Sequence, residues 1–137
     1  MKLLFINGVN LNMTGLRERD VYGTQTLDEI NKEIAKHFSG DECEFYQSNI
    51  EGDICTAIQR AEKYDGIILN AGAFTHYSYA IRDAIASIKT PVVEVHMSNI
   101  HAREEFRKKS VLSEVCKGVI CGFSKNSYIL AGESFKL

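Results

Sequence analysis

The chain has 137 residues, of which 45% are hydrophobic and 25% charged, and its formal net charge is −2. This length predicts a single domain over residues 1–137, with room for a sizeable core. The charge balance does not indicate a nucleic-acid or membrane-surface protein, and no apolar run approaches the roughly 18–20 residues of a membrane span. The first apolar stretch is too short for a signal-peptide core, so the expected location is cytoplasmic.

The chain opens with a strand, a long loop and a helix. Residues 3–6 form a continuous apolar run that predicts a buried strand. The polar segment 7–23 follows, and it is much longer than the usual connection between a strand and a helix, which is typical of a binding loop or lid. Thr26 and Glu29 have the spacing of a capping box, which predicts that an amphipathic helix over 27–38 begins there.

The middle of the chain repeats this order. Residues 43–47 predict a second strand, and Ser48 with Glu51 has the spacing of a second capping box before a helix. Residues 66–70 are apolar on both faces and predict a third strand. The apolar positions over 81–88 recur at helical spacing and predict the next helix.

The last third of the chain predicts two more strands. Residues 91–95 begin with the only proline, at a position that a strand tolerates. A polar helix is predicted from about His101. Residues 118–123 predict the fifth strand, and a short helix is expected over 126–131.

Strands that are apolar throughout and alternate with amphipathic helices predict a parallel sheet covered on both faces. The expected fold is therefore α/β, a flavodoxin-like three-layer sandwich with a five-stranded parallel sheet in the order 2-1-3-4-5. In such sheets, ligands bind beyond the carboxyl ends of the strands, near the point where the strand order reverses.

Unusual polar residues collect at these strand ends. Three of the four histidines follow the third and fourth strands: His76, His96 and His101. Glu94 precedes His96 by two residues, so both side chains face the same side of a strand. A carboxylate beside an imidazole orients the ring and favours its protonated form, which suits a general acid. The alternative is a metal site formed by the three histidines and Glu94, but no ligand spacing typical of metal sites supports it, so no metal is expected.

Four arginines flank the predicted cleft, although the whole chain is slightly acidic: Arg17, Arg19, Arg103 and Arg107. Guanidinium groups bind carboxylates and phosphates, so one hypothesis is a site for an anionic ligand. The other is that Arg103 and Arg107 form a solvated helix face with neighbouring glutamates.

Tyr22 is a candidate base, because nearby cations make its phenol more acidic. The alternative is an ordinary amphipathic tyrosine at the rim.

Several strings make the sequence resemble a known family. These occur in order over nearly the whole chain: INGVNLN, GLRERDVYG, QSNIEGD, ILNAGAFTHYSYAIRDAI, VVEVHMSNIHAREEFR and KGVICGF. They resemble the type II 3-dehydroquinate dehydratases. The resemblance implies a flavodoxin-like catalytic domain, cofactor-free dehydration of 3-dehydroquinate in the shikimate pathway through an enolate with anti elimination, and a dodecamer built from four trimers.

The resemblance also implies catalytic roles. Tyr22 would be the base that removes the C2 proton, and Arg17 would keep its phenol acidic. Asn10, or a water held near it, would help to stabilise the enolate oxygen. His96 would protonate the departing C1 hydroxyl, and Glu94 would orient its ring.

Substrate binding is implied for a second group of residues. Arg107 would contact the carboxylate or a ring hydroxyl, and Asp83 would reach across a trimer contact into the neighbouring site. The remaining members of the group are Asn70, His76, Met97 and Ser98.

Competing functions are weaker. A flavodoxin-type binding module would use residues 24–26 at a helix start to hold a phosphate, but the usual clustered glycines and hydroxyls after the first strand are missing. A receiver-type signalling domain needs acidic residues where Asn7 and Asn70 stand. A dehydratase that forms a Schiff base needs a buried lysine, and the lysines of the strand-end motifs, Lys108 and Lys109, lie at the outer end of one of them.

Overall fold

The computed structural model describes residues 1–16 and 19–137, and for Tyr22 it describes the backbone alone. Five parallel strands form one sheet in the order β2-β1-β3-β4-β5, which confirms the predicted topology. The strands are β1 (Lys2–Asn7), β2 (Glu42–Gln47), β3 (Gly66–Asn70), β4 (Val92–His96) and β5 (Gly118–Cys121).

Helices cover both faces of the sheet because alternate strand residues point to opposite sides. The helices are α1 (Arg19–Tyr22), α2 (Leu27–His37), α3 (Glu51–Gln59), α4 (Tyr79–Ala86) and α5 (Asn126–Glu133). Leu4 and Ile6 of β1 pack into one apolar cluster with α3 and α4, whereas Leu3 and Phe5 pack into another with α2 and α5. The predicted three-layer sandwich is therefore confirmed.

The two predicted capping boxes behave differently. Thr26 is the N-cap of α2, and its hydroxyl oxygen accepts the backbone N–H of Glu29 at 3.2 Å. The second prediction is wrong, because α3 begins at Glu51 with Ile50 as its N-cap. The Ser48 hydroxyl instead accepts the N–H of Ile50, which closes a tight turn before the helix.

The polar helix predicted after His101 is also wrong. Two short 3₁₀ helices replace it, Ile100–Ala102 and Glu105–Lys108. Arg103 lies between them in an extended conformation, which interrupts the helical hydrogen bonding. The two arginines of this segment consequently do not form one helix face.

Two glycines allow the loops after β1 and β3 to approach each other closely. A Cβ on Gly8 would lie 2.3 Å from the carbonyl oxygen of Ala71, and a Cβ on Gly72 would lie 2.7 Å from that of Val9. Gly72 also has a φ of +62°, which favours glycine. These contacts place the two loops side by side at the carboxyl edge of the sheet.

No helix in the described part of the chain combines the length and apolar character that crossing a membrane requires.

Candidate active site

A cavity open to solvent lies at the carboxyl ends of β1, β3 and β4. This is the place where parallel sheets bind ligands. Seven of the residues proposed from sequence line it: Asn10, Asn70, His76, His96, Met97, Ser98 and Arg107.

His96 lines the cavity, and Glu94 lies behind it. Glu94 is completely buried and His96 is 6% exposed. His96 Nε2 lies 2.6 Å from Glu94 Oε2, as the spacing on one strand face predicts. Because a carboxylate accepts, Nε2 carries the hydrogen and Nδ1 is the ring nitrogen left to face a ligand.

Two serine hydroxyls complete the surroundings of Glu94. Ser110 and Ser113 each lie 2.7 Å from its second oxygen, Oε1. Burial by itself raises the pKa of Glu94, but the hydrogen bonds from His96, Ser110 and Ser113 outweigh burial, and the pKa lies below its ordinary value. Glu94 is therefore ionised at neutral pH. We call Glu94, His96, Ser110 and Ser113 the charged wall.

His76 stands beside His96, with the ring planes nearly parallel and the centroids 6.5 Å apart. Its Nδ1 donates to the carbonyl oxygen of Lys109 at 2.6 Å. Burial, chiefly, lowers the pKa of His76, and the positive charges of His96 and Arg107 act in the same direction. The ring is therefore neutral at neutral pH, and its Nε2 can accept a hydrogen bond from a ligand hydroxyl.

A second group of side chains at this edge of the sheet is neutral, and of these Asn70 lines the cavity. Asn7 and Asn70 are register partners at the ends of β1 and β3, and the Tyr128 hydroxyl from α5 lies between them. Tyr128 donates to Asn7 Oδ1 at 2.6 Å and accepts from Asn70 Nδ2 at 2.8 Å. Asn70 Oδ1 accepts the N–H of Gly72 at 3.2 Å, so the oxygen and the nitrogen of this side-chain amide each have a hydrogen-bond partner. We call Asn7, Asn70 and Tyr128 the amide wall.

Two arginines make the mouth of the cavity cationic. Arg103 and Arg107 both line it. Arg103 Nη1 lies 3.4 Å from the Ser98 hydroxyl, and Arg107 Nε lies 3.0 Å from a carboxylate oxygen of Glu104. The pairing of Arg107 with a neighbouring glutamate agrees with the alternative, but the two arginines do not share a helix face and both line the cavity, as the cationic-cleft hypothesis predicts.

Asn10 reaches the cavity through an unusual backbone conformation. Its φ of 66° places it in the left-handed region, which asparagine tolerates better than most residues. Its N–H donates to Asn49 Oδ1 at 2.9 Å, which ties the loop after β1 to the loop after β2.

Besides Glu94, three of the described residues considered for the cleft from sequence do not line this cavity: Arg19, Asp83 and His101. Arg17 and the Tyr22 side chain lie outside the described residues. Asp83 lies on α4 with its side chain 78% exposed, 3.7 Å from Arg82, and it does not line the cavity of its own chain. His101 is exposed. Among the described residues, no three His, Cys, Asp or Glu side chains are grouped closely enough to hold a metal ion.

Sequence reasoning overlooked three members of the two walls. Ser110 and Ser113 meet Glu94 across 16 and 19 positions, and Tyr128 meets Asn7 across 121. The serines occur in the string SVLS, but nothing in that string names a carboxylate partner. Only packing brings these groups together.

Comparison with known proteins identifies the family. The family model described as Dehydroquinase class II matches residues 1–136. The chain belongs to this family. Among class II dehydroquinases, the crystal structure of the type II dehydroquinase from Butyrivibrio crossotus has a TM-score of 0.97 at 46% identity, covering 100% of this chain and 98% of that one.

Two sequence relatives point the same way. A 3-dehydroquinate dehydratase of Clostridium beijerinckii is 51% identical, covering 100% of this chain and 97% of its own length. One of Thermotoga neapolitana is 56% identical, covering 97% of this chain and 92% of its own. The resemblance to type II 3-dehydroquinate dehydratases is thus confirmed, and the chain is an enzyme of the type II dehydroquinase family.

Proposed function

We propose that this class II dehydroquinase converts 3-dehydroquinate into 3-dehydroshikimate as a single catalytic domain, without a cofactor, in the shikimate pathway of aromatic amino acid biosynthesis. The observation that carries the proposal is the buried pair of Glu94 and His96, whose ring opens into a cavity with a cationic mouth. The names of the relatives supply the substrate class. A carboxylate-bearing cyclic polyol matches the charge and polarity of this cavity.

His96 is the proposed general acid. Glu94 holds the hydrogen on Nε2, so in the protonated ring the proton to be transferred sits on Nδ1, toward the cavity. In the elimination, the C1–O bond breaks, the leaving hydroxyl takes the Nδ1 proton and departs as water, and the electron pair of the enolate forms the C1–C2 double bond.

Tyr22 is the proposed base. It removes the C2 proton next to the ketone, on the face opposite the leaving hydroxyl, which makes the elimination anti and generates an enolate. Arg17 keeps the phenol acidic and stabilises the developing charge. Asn10, which lines the cavity, or a water held near it, stabilises the enolate oxygen.

Substrate binding follows the polarity of the lining groups. The Arg107 guanidinium suits the carboxylate, and the neutral His76 ring offers Nε2 as an acceptor for a hydroxyl. Asn70 offers an amide that is already oriented by its neighbours. Met97 and Ser98, directly after β4, complete the floor of the site.

Assembly is part of the same proposal. The exposed Asp83 on α4 is free to reach the cavity of a neighbouring subunit in a trimer, and four such trimers form a dodecamer in the cytoplasm. Asp83 would then serve a site to which its own chain does not bring it.

An ultraviolet assay tests the proposal directly. The purified chain is mixed with 3-dehydroquinate without added metal or nucleotide, and the absorbance of the conjugated enone is followed. We expect turnover that survives treatment with borohydride in the presence of substrate, because no Schiff base is formed. Absence of enone formation refutes the substrate, and inactivation by borohydride refutes the mechanism.

A further inference from the structure

Residues 110–113 pass behind Glu94, on the side away from the cavity. Neither Ser110 nor Ser113 lines the cavity, yet both hydroxyls lie 2.7 Å from Glu94 Oε1. Leu112, between them, is completely buried in the apolar cluster under α3 and α4. The segment is therefore anchored in the core and holds two hydroxyls against a buried carboxylate.

The direction of the Ser110 hydrogen bond is determined by the backbone. The Ser110 oxygen already accepts two N–H groups, those of Leu112 and Ser113, both at 3.1 Å. A hydroxyl oxygen has two lone pairs and one hydrogen, so the hydrogen is what Ser110 has left to offer. Glu94 Oε1 must accept it and is not the oxygen that carries a proton.

We propose that Ser110 and Ser113 are positioning residues that make Glu94 an obligate acceptor, so that His96 keeps its hydrogen on Nε2 and presents Nδ1 to the substrate. The proposal rests on the proposed function of His96 as the general acid. Without the two donors, Oε1 would be a buried oxygen with unfilled lone pairs, and the carboxyl group could rotate or hold a proton itself.

Other titratable or charged side chains surround the pair of Glu94 and His96. The Cys116 thiol packs near Glu94, and burial raises its pKa to about 12, so it stays uncharged. His76 faces His96 and is neutral at neutral pH, because burial lowers its pKa. Arg103 and Arg107 face the cavity from the segment after β4. Among the described residues, the donors to Glu94 besides His96 are the two serines, so their removal changes its ionisation most directly.

The test compares Ser113→Thr with Ser113→Val, which have the same shape and differ in the hydroxyl. The rate is measured by the enone assay across pH. Loss of a hydrogen bond to a buried carboxylate is expected to make kcat of Ser113→Val about tenfold lower than that of Ser113→Thr. KM should differ much less, because Ser113 does not line the cavity.

The pKa of the Glu94 carboxyl, followed by NMR of the carbon-13-labelled side chain, distinguishes positioning from a structural defect. The hydroxyl lowers this pKa, so its loss should raise the pKa by about one unit in Ser113→Val relative to Ser113→Thr. A lower kcat with an unmoved pKa means general damage and overturns the proposal, as do equal rates in the two variants. Ser134→Ala, which removes a hydroxyl bonded to the Ala131 carbonyl in the C-terminal part of the chain, is the control.

A stability measurement separates this proposal from the function. Because Glu94 has a lowered pKa, its ionised form stabilises the fold above pH 4.5, and this contribution is lost as the pH falls through the folded-state pKa. Ser113→Thr should therefore melt at a higher temperature than Ser113→Val near neutral pH, and the gap should close in acid. If the wild-type chain does not turn over 3-dehydroquinate, the proposed function fails, and a gap that does not change with pH overturns the positioning role independently.

Discussion

The charged wall and the amide wall solve the same burial problem with different chemistry. The amide wall contains neutral groups whose donors and acceptors are paired with one another. The charged wall contains a fully buried carboxylate that needs three donors around its two oxygens. A neutral chain of this kind orients a ligand without changing charge near neutral pH. A carboxylate beside an imidazole can also hold and release a proton.

Under the proposed roles, the difference teaches how one site assigns binding and proton transfer to different groups. Removing a neutral hydrogen-bonding group costs the protein a paired contact, whereas removing one partner of a buried charge leaves that charge uncompensated. The charged wall should therefore dominate kcat and acid stability, and the amide wall should mainly affect KM.

The largest effect is expected from His96→Ala. Removal of the proposed general acid should lower kcat by about 10²–10⁴-fold, with a much smaller change in KM, because the barrier to departure of the hydroxyl rises. Steady-state kinetics with 3-dehydroquinate measure this. The matched control is His37→Ala, which removes an exposed histidine bonded to Glu133 on the other side of the molecule. A variant of His96 that keeps its rate would leave the charged wall without its proposed task.

A smaller effect is expected from Glu94→Gln. The glutamine amide cannot accept from Ser110, Ser113 and His96 together, so the free energy of unfolding should fall by about 2–4 kcal/mol near neutral pH. Chemical denaturation at several pH values measures it. Because the pKa of Glu94 is lowered, its ionised carboxylate stabilises the fold above pH 4.5. The difference in unfolding free energy between Glu94→Gln and wild type should therefore shrink as the pH falls. A difference that is constant with pH would mean that Glu94 contributes through packing alone.

The smallest effect is expected from Tyr128→Phe. The change removes the donor to Asn7 Oδ1 and the acceptor for Asn70 Nδ2. This loss should destabilise the fold by about 1–3 kcal/mol. KM should rise several-fold because Asn70 loses its orientation, and the shape of the pH profile should stay as in wild type. Kinetics across pH test this, with the exposed Tyr79→Phe as control. A shift of either limb of the kcat–pH profile in Tyr128→Phe would contradict the proposal that only the charged wall takes part in proton transfer.

Local patterns in the sequence were sufficient for the fold and for half of the charged wall. Apolar runs separated by helical periodicity predict a covered parallel sheet, since each pattern reports burial of a whole face. Glu94 and His96 could be paired in advance, because two residues apart on a strand always share a side. Patterns of charge misled the prediction after β4, where Arg103 is extended and no helix forms.

Sequence by itself therefore determined the order of the layers, the edge of the sheet where the candidate site lies, the family, and the pairing of Glu94 with His96. The tertiary structure alone decided which distant groups stand behind those side chains: Ser110 and Ser113 against one carboxylate, and Tyr128 between two asparagines. The physical reason is the range of the forces. Periodicity reflects contacts within one element, whereas a hydrogen bond between elements depends on how the packed core sets their separation and angle.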